Sequence, residues 1–402
     1  MGLIRYLKSL FASEDCWLYI MIIVAWAYPL FGLVNALFLR MPIVNTVGPY
    51  MQNTILVCSI LLAVKSIKRL IHISDVLFYI SFCFLYLLQY IIYPQNEIYL
   101  DNDAYTALFT VAPYFFLGLF FDTKNIKKLI FIFSCAMILF RTYHDVFYVK
   151  DFIGHLGGGG ESSAMWQAYT TLPYVMCVWW YMFKKISVPA ILFSIIGFVL
   201  LTTYGNRGSL FCLGTFVTLY LLFFIQYRHR WLVYTLILIS AFIFFIFSME
   251  IIIGLSIFVD NLGMSTRIFD KFFGDSLINV DTRNDLINQL QPYLNNMPFG
   301  GYGINGVFRL IGIYPHKLHY DLWASYGYFI GTAIMLLLIR LFIKAYRCVK
   351  SDSDRKQMLL MITILGLEPL LFSFSYLIWP YFFMYIGYCV GRIRHIELKP
   401  FD

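Results

Sequence analysis

Runs of about 20 mostly apolar residues follow one another along most of this chain, separated by short polar or charged stretches. A run of that length is what an α-helix needs to cross the hydrocarbon core of a bilayer. Because backbone polar groups must be satisfied within the spanning element, such runs predict helices. The sequence therefore predicts an all-α polytopic membrane protein. About twelve spans are expected, at residues 17–39, 43–64, 74–93, 104–121, 125–147, 164–183, 187–204, 208–227, 231–254, 320–346, 357–373 and 376–391.

The composition agrees with a membrane protein and excludes other classes. The 402 residues are 60% hydrophobic and only 13% charged, against about 25% charged in an ordinary soluble domain. A soluble enzyme, a disordered chain and a nucleic-acid module are therefore excluded. The eight Cys residues lie mostly inside apolar runs and form no CxxC pair, which argues against a disulfide framework or a zinc site. We expect the first apolar run to be retained as a helix, because no signal-peptide cleavage site follows it.

The distribution of basic residues predicts the orientation. If the N-terminus lies in the cytoplasm and the spans alternate, most of the 30 Lys and Arg residues fall on the cytoplasmic side, as the positive-inside rule requires. Both termini are then cytoplasmic, and the longest loop faces outward. We expect one membrane domain in three parts. These are spans one to nine in 1–258, an extracytoplasmic loop with short helices in 259–319, and spans ten to twelve with a cytoplasmic tail in 320–402.

The long outer loop contains a short predicted helix that carries an arginine. Thr282 and Asp285 have the spacing of a capping box, and apolar residues follow on one face until Pro292, which we expect to stop the helix. Arg283 then falls in the first turn, where a cation is unfavourable for the helix dipole. It is either an ordinary surface arginine or a group that binds an anion beside the free N–H groups of the helix start.

Two histidines stand at the start of the tenth predicted span. Pro315 suits the first position of a helix, so His316, His319 and Tyr320 would share one face at the outer membrane boundary. Three interpretations are open. Lipid headgroups could satisfy these side chains, one histidine could act as a general base, or the HxxH pair could bind a metal ion. The metal interpretation lacks a convincing carboxylate set.

A further arginine, Arg207, lies in the short turn between the seventh and eighth predicted spans, at the membrane edge. It needs a partner, because an unpaired charge in the bilayer is costly. That partner is either a phosphate, which the planar guanidinium can bind through two oxygens, or an internal carboxylate. The candidate carboxylates are Glu250, Glu368 and Asp321. A weaker polar cluster near the outer end of the fifth span consists of Arg141, His144 and Asp145.

Three segments match, in order, the motifs of a known family. Asn206-Arg207-Gly208 is similar to an SRG-type turn, and Arg283 with residues 298–303 is similar to an R…PxxGxG segment. The helix that follows Pro315-His316 and contains Gly327 and Gly331 is similar to a PHN-led helix that ends in GxxxG. On these residues the chain resembles the O-antigen polymerase and ligase superfamily, the Wzy-like and WaaL-related membrane glycosyltransferases of GT-C type. Lys317 stands where the family usually has Asn.

This resemblance implies an inverting, metal-independent glycosyltransferase without a cofactor, at the extracytoplasmic face of a bacterial inner membrane. The donor would be a glycan on undecaprenyl diphosphate, and the acceptor a sugar hydroxyl of another lipid-linked repeat unit. His316 would be catalytic, as base or orienting acceptor for that hydroxyl, and Arg207 and Arg283 would bind the diphosphate. The supporting residues would be His319, Asp321, Gly301 and Gly303. Asp321 would orient one of the two histidines. The other partners that fit are membrane lipids, a chain-length regulator and a flippase. Nucleic acid is not expected to be a partner.

Two other functions compete with polymerisation of an O-antigen, capsule or exopolysaccharide. An O-antigen ligase would use the same donor and shares the same His and Arg segments. A lipid-linked oligosaccharide flippase belongs to a different class, and about twelve spans with both ends inside suit it as well. A flippase, however, needs polar residues along a central cavity, usually in two related halves. The polar residues of this chain are concentrated outside the predicted spans.

Overall fold

The computed structural model is helical and contains no strand in the part of the chain that it describes. That part comprises residues 13, 15–26, 58–121, 123–147, 161–204, 206–224, 231, 235, 253–254, 257, 281–312, 314 and 317–394, and only the backbone is described for 123–125, 144–147, 161–164 and 281–285. Most of the predicted spans 17–39, 43–64 and 231–254 lies outside these residues.

The described helices with defined bounds are numbered in chain order. They are α1 (Cys16–Trp26), α2 (Ile73–Ile92), α3 (Glu97–Tyr105), α4 (Tyr114–Phe120), α5 (Thr123–Phe147), α6 (Glu161–Lys184), α7 (Val188–Thr203), α8 (Arg207–Phe224), α9 (Asp281–Asn295), α10 (Gly306–Ile311), α11 (Leu318–Val349), α12 (Ser353–Leu367) and α13 (Pro380–Ile393). Short 3₁₀ turns occupy Pro94–Asn96 and Pro369–Leu371. A π-helical turn, Thr106–Val111, follows α3 directly and precedes α4.

Four described stretches are long and apolar enough to cross a membrane. They are Ile73–Ile92, Pro94–Phe120, Arg207–Phe224 and Leu318–Val349, and the shorter helices α1 and α7 are also apolar. Helices with these properties support a membrane protein, and the all-α class predicted from the sequence is confirmed for the described residues. The count of about twelve spans stays a prediction.

Two helix boundaries near the motifs differ from the predicted ones. Helix α9 runs through Pro292 to Asn295, so the proline does not stop the helix, which continues for another turn. Helix α11 begins at Leu318 with Lys317 as its N-cap, later than the start predicted at Pro315. The last two predicted spans are separate helices, because the chain leaves helical geometry between α12 and α13.

The chain divides into two compact units. The first unit consists of residues 1–22, 59–125 and 280–402, and the second of 23–58 and 126–279. Each unit contains residues from separate parts of the sequence, so each depends on tertiary contacts between distant segments.

The first unit contains a tightly packed pair of helices, α4 and α13. A Cβ atom on Gly387 of α13 would overlap the backbone carbonyl of Phe115, and one on Gly391 would lie 2.5 Å from the carbonyl oxygen of Leu119. A Cβ atom on Gly118 of α4 would likewise overlap the backbone carbonyl of Met384 in α13. Glycines four residues apart let two membrane helices approach backbone to backbone, where van der Waals contact is strongest.

We expect Gly387→Ala to destabilise the protein, because the added methyl group has no space against α4. Overpacking of this kind costs about 1–3 kcal/mol, which should lower the melting temperature of the purified protein in detergent by several degrees. Gly214→Ala in α8 is the matched control, since no atom lies within 4 Å of a Cβ at that glycine. Equal melting temperatures for the two variants would contradict the close α4–α13 contact.

In the second unit, α5, α6 and α7 form an up-and-down bundle. Phe131 of α5 stacks on Tyr181 of α6 with ring centroids 3.9 Å apart. Nearer the other end of this pair, Arg141 of α5 donates to the hydroxyl of Thr170. The two contacts show that α5 and α6 are antiparallel. Helix α7 is antiparallel to α6 in turn, with Gly197 packed closely on the side chain of Val175.

Helix α8 runs parallel to α6 within the same bundle. The ring of Phe183 stacks on Tyr220 with centroids 4.7 Å apart, and the hydroxyl of Tyr169 fills the space beside Gly208. The start of α8 therefore lies beside the first half of α6.

The two ends of this bundle carry different cations. Four lysines lie where α5 begins and α6 ends, namely Lys127, Lys128, Lys184 and Lys185. Arg141, late in α5, and Arg207, at the start of α8, lie at the opposite end. By the positive-inside rule the lysine end would be cytoplasmic, which is the orientation predicted from the sequence.

Cysteine labelling in intact cells tests this orientation. Asn296 at the end of α9 and Ser353 at the start of α12 are both exposed, so a cysteine at either position can react. We expect Asn296→Cys, but not Ser353→Cys, to react with a membrane-impermeant thiol reagent. The parent chain gives the baseline, because Cys58 is also exposed. Labelling of Ser353→Cys without labelling of Asn296→Cys would show that the orientation is the reverse of the predicted one.

Candidate functional site

Helix α11 is interrupted early, at Gly327. This residue has φ 81° and ψ 163°, which no residue in a helix adopts, so α11 consists of a first arm, 318–326, and a second arm, 328–349. The indole N–H of Trp323 in the first arm donates to the hydroxyl of Thr332, nine residues further on, at 3.0 Å. In a straight helix these residues would be about 13 Å apart along the axis. The chain therefore turns sharply at Gly327.

The glycine-rich segment 299–303 completes this turn. The last carbonyls of a helix have no partner within it. Here the N–H of Tyr302 donates to the carbonyl oxygen of Ala324 at 2.7 Å, and that of Gly303 donates to Ser325 at 3.1 Å. Gly301 has φ 76°, and a Cβ on it would lie 2.6 Å from the backbone nitrogen of Gly327. The sequence pattern PFGGYG is thus a cap for the first arm.

Side chains from α2 and the turn after it hold the other side of this segment. The side-chain oxygen of Gln89 accepts from the N–H of Ile304 at 3.0 Å. The Asn96 amide donates to the carbonyl oxygens of Tyr302, at 2.9 Å, and Ile304, at 3.1 Å. The Tyr93 hydroxyl donates to the carbonyl oxygen of Gly300 at 3.0 Å. Backbone groups of the segment are therefore bonded on both sides.

The carboxylate of Asp103 extends the network towards residue 314. It accepts from the amide of Asn305 at 2.9 Å and from the hydroxyl of Tyr314 at 2.5 Å. Burial, and then this bond to the carboxylate, raise the pKa of Tyr314 well above its usual range. The Arg309 guanidinium donates to the side-chain oxygen of Asn96 at 2.8 Å. These contacts anchor the chain two residues before His316.

Asp321 and His319 both lie on the first arm of α11, but their side chains are in different surroundings. Asp321 is buried and accepts from the hydroxyl of Ser375 at 2.7 Å. His319 is half-buried and packs its ring against Tyr320 and Trp323, with centroids 4.3 Å and 5.2 Å away. Asp321 therefore bonds to Ser375 and not to His319. Its predicted role in orienting His316 stays a prediction.

An apolar groove of about 780 Å³ begins below this polar assembly. Side chains of α2, the second arm of α11 and α13 line it. Gln89, Tyr326 and Tyr376 line its polar end, where the two tyrosine hydroxyls share a hydrogen bond of 2.8 Å. At the far end lies Asp75, paired with Arg394 at 2.7 Å. The α2 wall spans about five helical turns, or roughly 27 Å, which is close to the thickness of a bilayer core.

The structure brings together the four supporting residues predicted from the sequence. Gly301 and Gly303 contact the first arm, and His319 and Asp321 lie on that arm. Arg283 is in the first turn of α9, with only its backbone described. Arg207, exposed at the start of α8, belongs to the second unit. His316 lies outside the described residues.

Three residues that hold the chain between Gly300 and Tyr314 were not predicted from the sequence, one each from α2, the 3₁₀ turn after it and α3. Gln89, Asn96 and Asp103 carry no motif that marks them, and the only signal was the polar stretch 94–103 between two apolar runs. Their role depends on a pairing with residues more than 200 positions away, which sequence spacing alone does not reveal.

No group of three or more His, Cys, Asp or Glu side chains that could hold a metal ion occurs among the residues that the structure describes. Comparison with protein-family models, curated proteins and solved structures finds no match to this chain. The resemblance of the three motifs therefore depends on the residues themselves, and the function that it implies is a proposal.

We expect Gly301→Ala to detach the glycine-rich segment from the first arm, because the new methyl group would collide with the backbone at Gly327 and the residue would keep a strained positive φ. Hydrogen exchange of residues 299–304 should rise strongly in the purified protein. Gly300→Ala is the matched control, since its Cβ would meet only the Tyr93 hydroxyl, at 3.2 Å. Unchanged protection in Gly301→Ala would refute the capping role.

Proposed function

We propose that this protein is a membrane glycosyltransferase of the O-antigen polymerase and ligase superfamily that acts as a polysaccharide polymerase. The donor is a glycan on a polyprenyl diphosphate, and the acceptor is a sugar hydroxyl on another lipid-linked repeat unit. The reaction takes place at the extracytoplasmic face of a bacterial inner membrane.

One observation in the first unit carries this proposal: the polar assembly formed by the glycine-rich segment and the first arm lies at the end of the apolar groove. A lipid-linked glycan has the same division, with a long apolar tail and a polar head. Gln89 joins the two regions, because it lines the groove and also binds Ile304 of the assembly. The groove offers a path of bilayer length for an isoprenoid tail, and Gly301, Gly303 and Asp321 lie in the polar assembly at its end.

The proposed reaction needs no metal or cofactor. The acceptor hydroxyl oxygen attacks the anomeric carbon of the donor sugar, the bond from that carbon to the diphosphate oxygen breaks, and polyprenyl diphosphate leaves. His316 accepts the hydroxyl proton or orients the hydroxyl. General-base assistance of this kind contributes about 10²–10⁴-fold.

Arg207 and Arg283 are proposed to bind the diphosphate. A guanidinium can donate two parallel hydrogen bonds to phosphate oxygens, and fixed positive charge stabilises the leaving group as its negative charge develops.

The assay for the proposal uses purified protein with lipid-linked repeat units in detergent, with EDTA present. We expect wild type to produce a polymer ladder. His316→Ala should lower the rate at least about 10²-fold, as loss of general-base help does, with substrate binding nearly intact. His319→Ala is the matched control and should have a milder effect, because that ring packs on Tyr320 and Trp323. Arg207→Lys and Arg283→Lys should lose much of the activity, since a point charge does not replace a two-oxygen fork.

Other outcomes of the same assay would contradict the proposal. A single transfer to a lipid A-core acceptor, without a ladder, would indicate a ligase. No covalent product, together with movement of the lipid-linked glycan between leaflets in vesicles, would indicate a flippase. A ladder that disappears with EDTA and returns with Mg²⁺ would overturn the roles assigned to the arginines. Collapse in His319→Ala with normal activity in His316→Ala would move the base to His319.

A further inference from the structure

The second unit contains a buried arginine, Arg141, near the end of α5. Only 7% of the residue is exposed. One terminal nitrogen, Nη2, donates to the hydroxyl oxygen of Thr170 at 3.1 Å. The Nε atom is buried and has no hydrogen-bond partner among the described residues. A buried guanidinium normally has its charge balanced and its donors satisfied.

The described part of the second unit offers Arg141 no negative charge. No Asp or Glu occurs in residues 126–143, 165–204 or 206–224, which supply the described side chains of α5 to α8. The contact with Thr170 is neutral, and that hydroxyl in turn donates to the carbonyl oxygen of Gln167 at 3.1 Å. The hydroxyl of Thr171, the next residue, is also buried without a described partner. Arg141 therefore keeps a buried donor, Nε, without a partner among the described residues.

Helix α6 contacts both of the segments that carry Arg141 and Arg207. Thr170 contacts Arg141, and the preceding residue, Tyr169, places its hydroxyl against Gly208 at the start of α8. Adjacent residues of a helix are on the same turn, so both arginine-bearing segments meet α6 at one level. In the first turn of α8, the N–H of Ser209 donates to the side-chain oxygen of Asn206 at 3.2 Å, so Arg207 supplies the positive charge at this end of the helix.

We infer that Arg141 and Arg207 form the two sides of one anion site in the second unit, with Arg141 as the buried anchor and Thr170 as its positioning residue. Two guanidinium groups with nearby hydroxyls suit a diphosphate, which has several oxygens to accept hydrogen bonds. The identity of this anion as the diphosphate of the lipid-linked donor rests on the proposed function. The existence of an anion site does not.

Ligand binding and thermal stability of the full chain in detergent test the inference separately from glycosyl transfer. The probes are inorganic pyrophosphate and undecaprenyl diphosphate. We expect Arg141→Gln to weaken binding of undecaprenyl diphosphate roughly tenfold or more, because a charge-assisted hydrogen bond is lost. Thr170→Val should weaken it less, and Arg141→Lys should fall between wild type and Arg141→Gln. Lys127→Gln, the same charge change at the other end of α5, is the matched control and should bind normally.

The melting temperature without ligand separates a ligand site from a structural ion pair. Removal of an uncompensated buried charge should leave the melting temperature unchanged or raise it. Removal of one partner of a buried ion pair should lower the melting temperature. The sequence neighbour Asp145 is the alternative partner. If Arg141→Gln and Asp145→Asn both melted earlier and bound the probes normally, Arg141 would be structural and the inference overturned.

The two probes distinguish the sources of the anion. Weakened binding of both probes, or of the lipid alone, supports a site for the lipid-linked diphosphate. Weakened binding of pyrophosphate alone overturns that assignment, since the site would then take a free anion. A failed polymer-ladder assay with Arg141-dependent lipid binding would contradict the proposed function and leave the anion site in place.

Discussion

The described part of the first unit depends on how the chain satisfies the end of a broken helix. Gly327 turns α11 away from its first arm, which leaves the carbonyls of Ala324 and Ser325 without partners in the helix. Backbone N–H groups of Tyr302 and Gly303 take their place. Buried carbonyls without partners are costly, so the break, the glycine-rich segment and the side chains that hold it are one interdependent assembly.

This assembly explains why the polar and apolar parts of the first unit meet where they do. The turn at Gly327 directs the second arm along α2 and α13, and the three helices leave a groove between them. Gln89 and Tyr326 lie at the junction, each lining the groove beside the polar residues. A ligand with an apolar tail and a polar head matches this arrangement, which is the physical basis of the proposed lipid-linked donor.

The described side chains of α5 to α8 in the second unit present a different physical problem, because they include basic groups and no carboxylate. Its described helices have lysines at one end and two arginines, Arg141 and Arg207, at the other. Exposed lysines at a membrane surface are hydrated or meet anionic lipids. A buried guanidinium has neither option, and for this reason Arg141 points to an anionic ligand more strongly than any exposed cation of the bundle.

The sequence by itself determined the helical membrane class, because runs of about 20 apolar residues allow few other structures. It also identified Gly301 and Gly303 as parts of a motif. Only the tertiary structure decided what they do, since positive φ at Gly301 matters through the helix break that it contacts. Asn96 and Asp103 could not be predicted, because their partners are more than 200 residues away. Hydropathy reports the environment of each segment, whereas these contacts depend on which segments become neighbours.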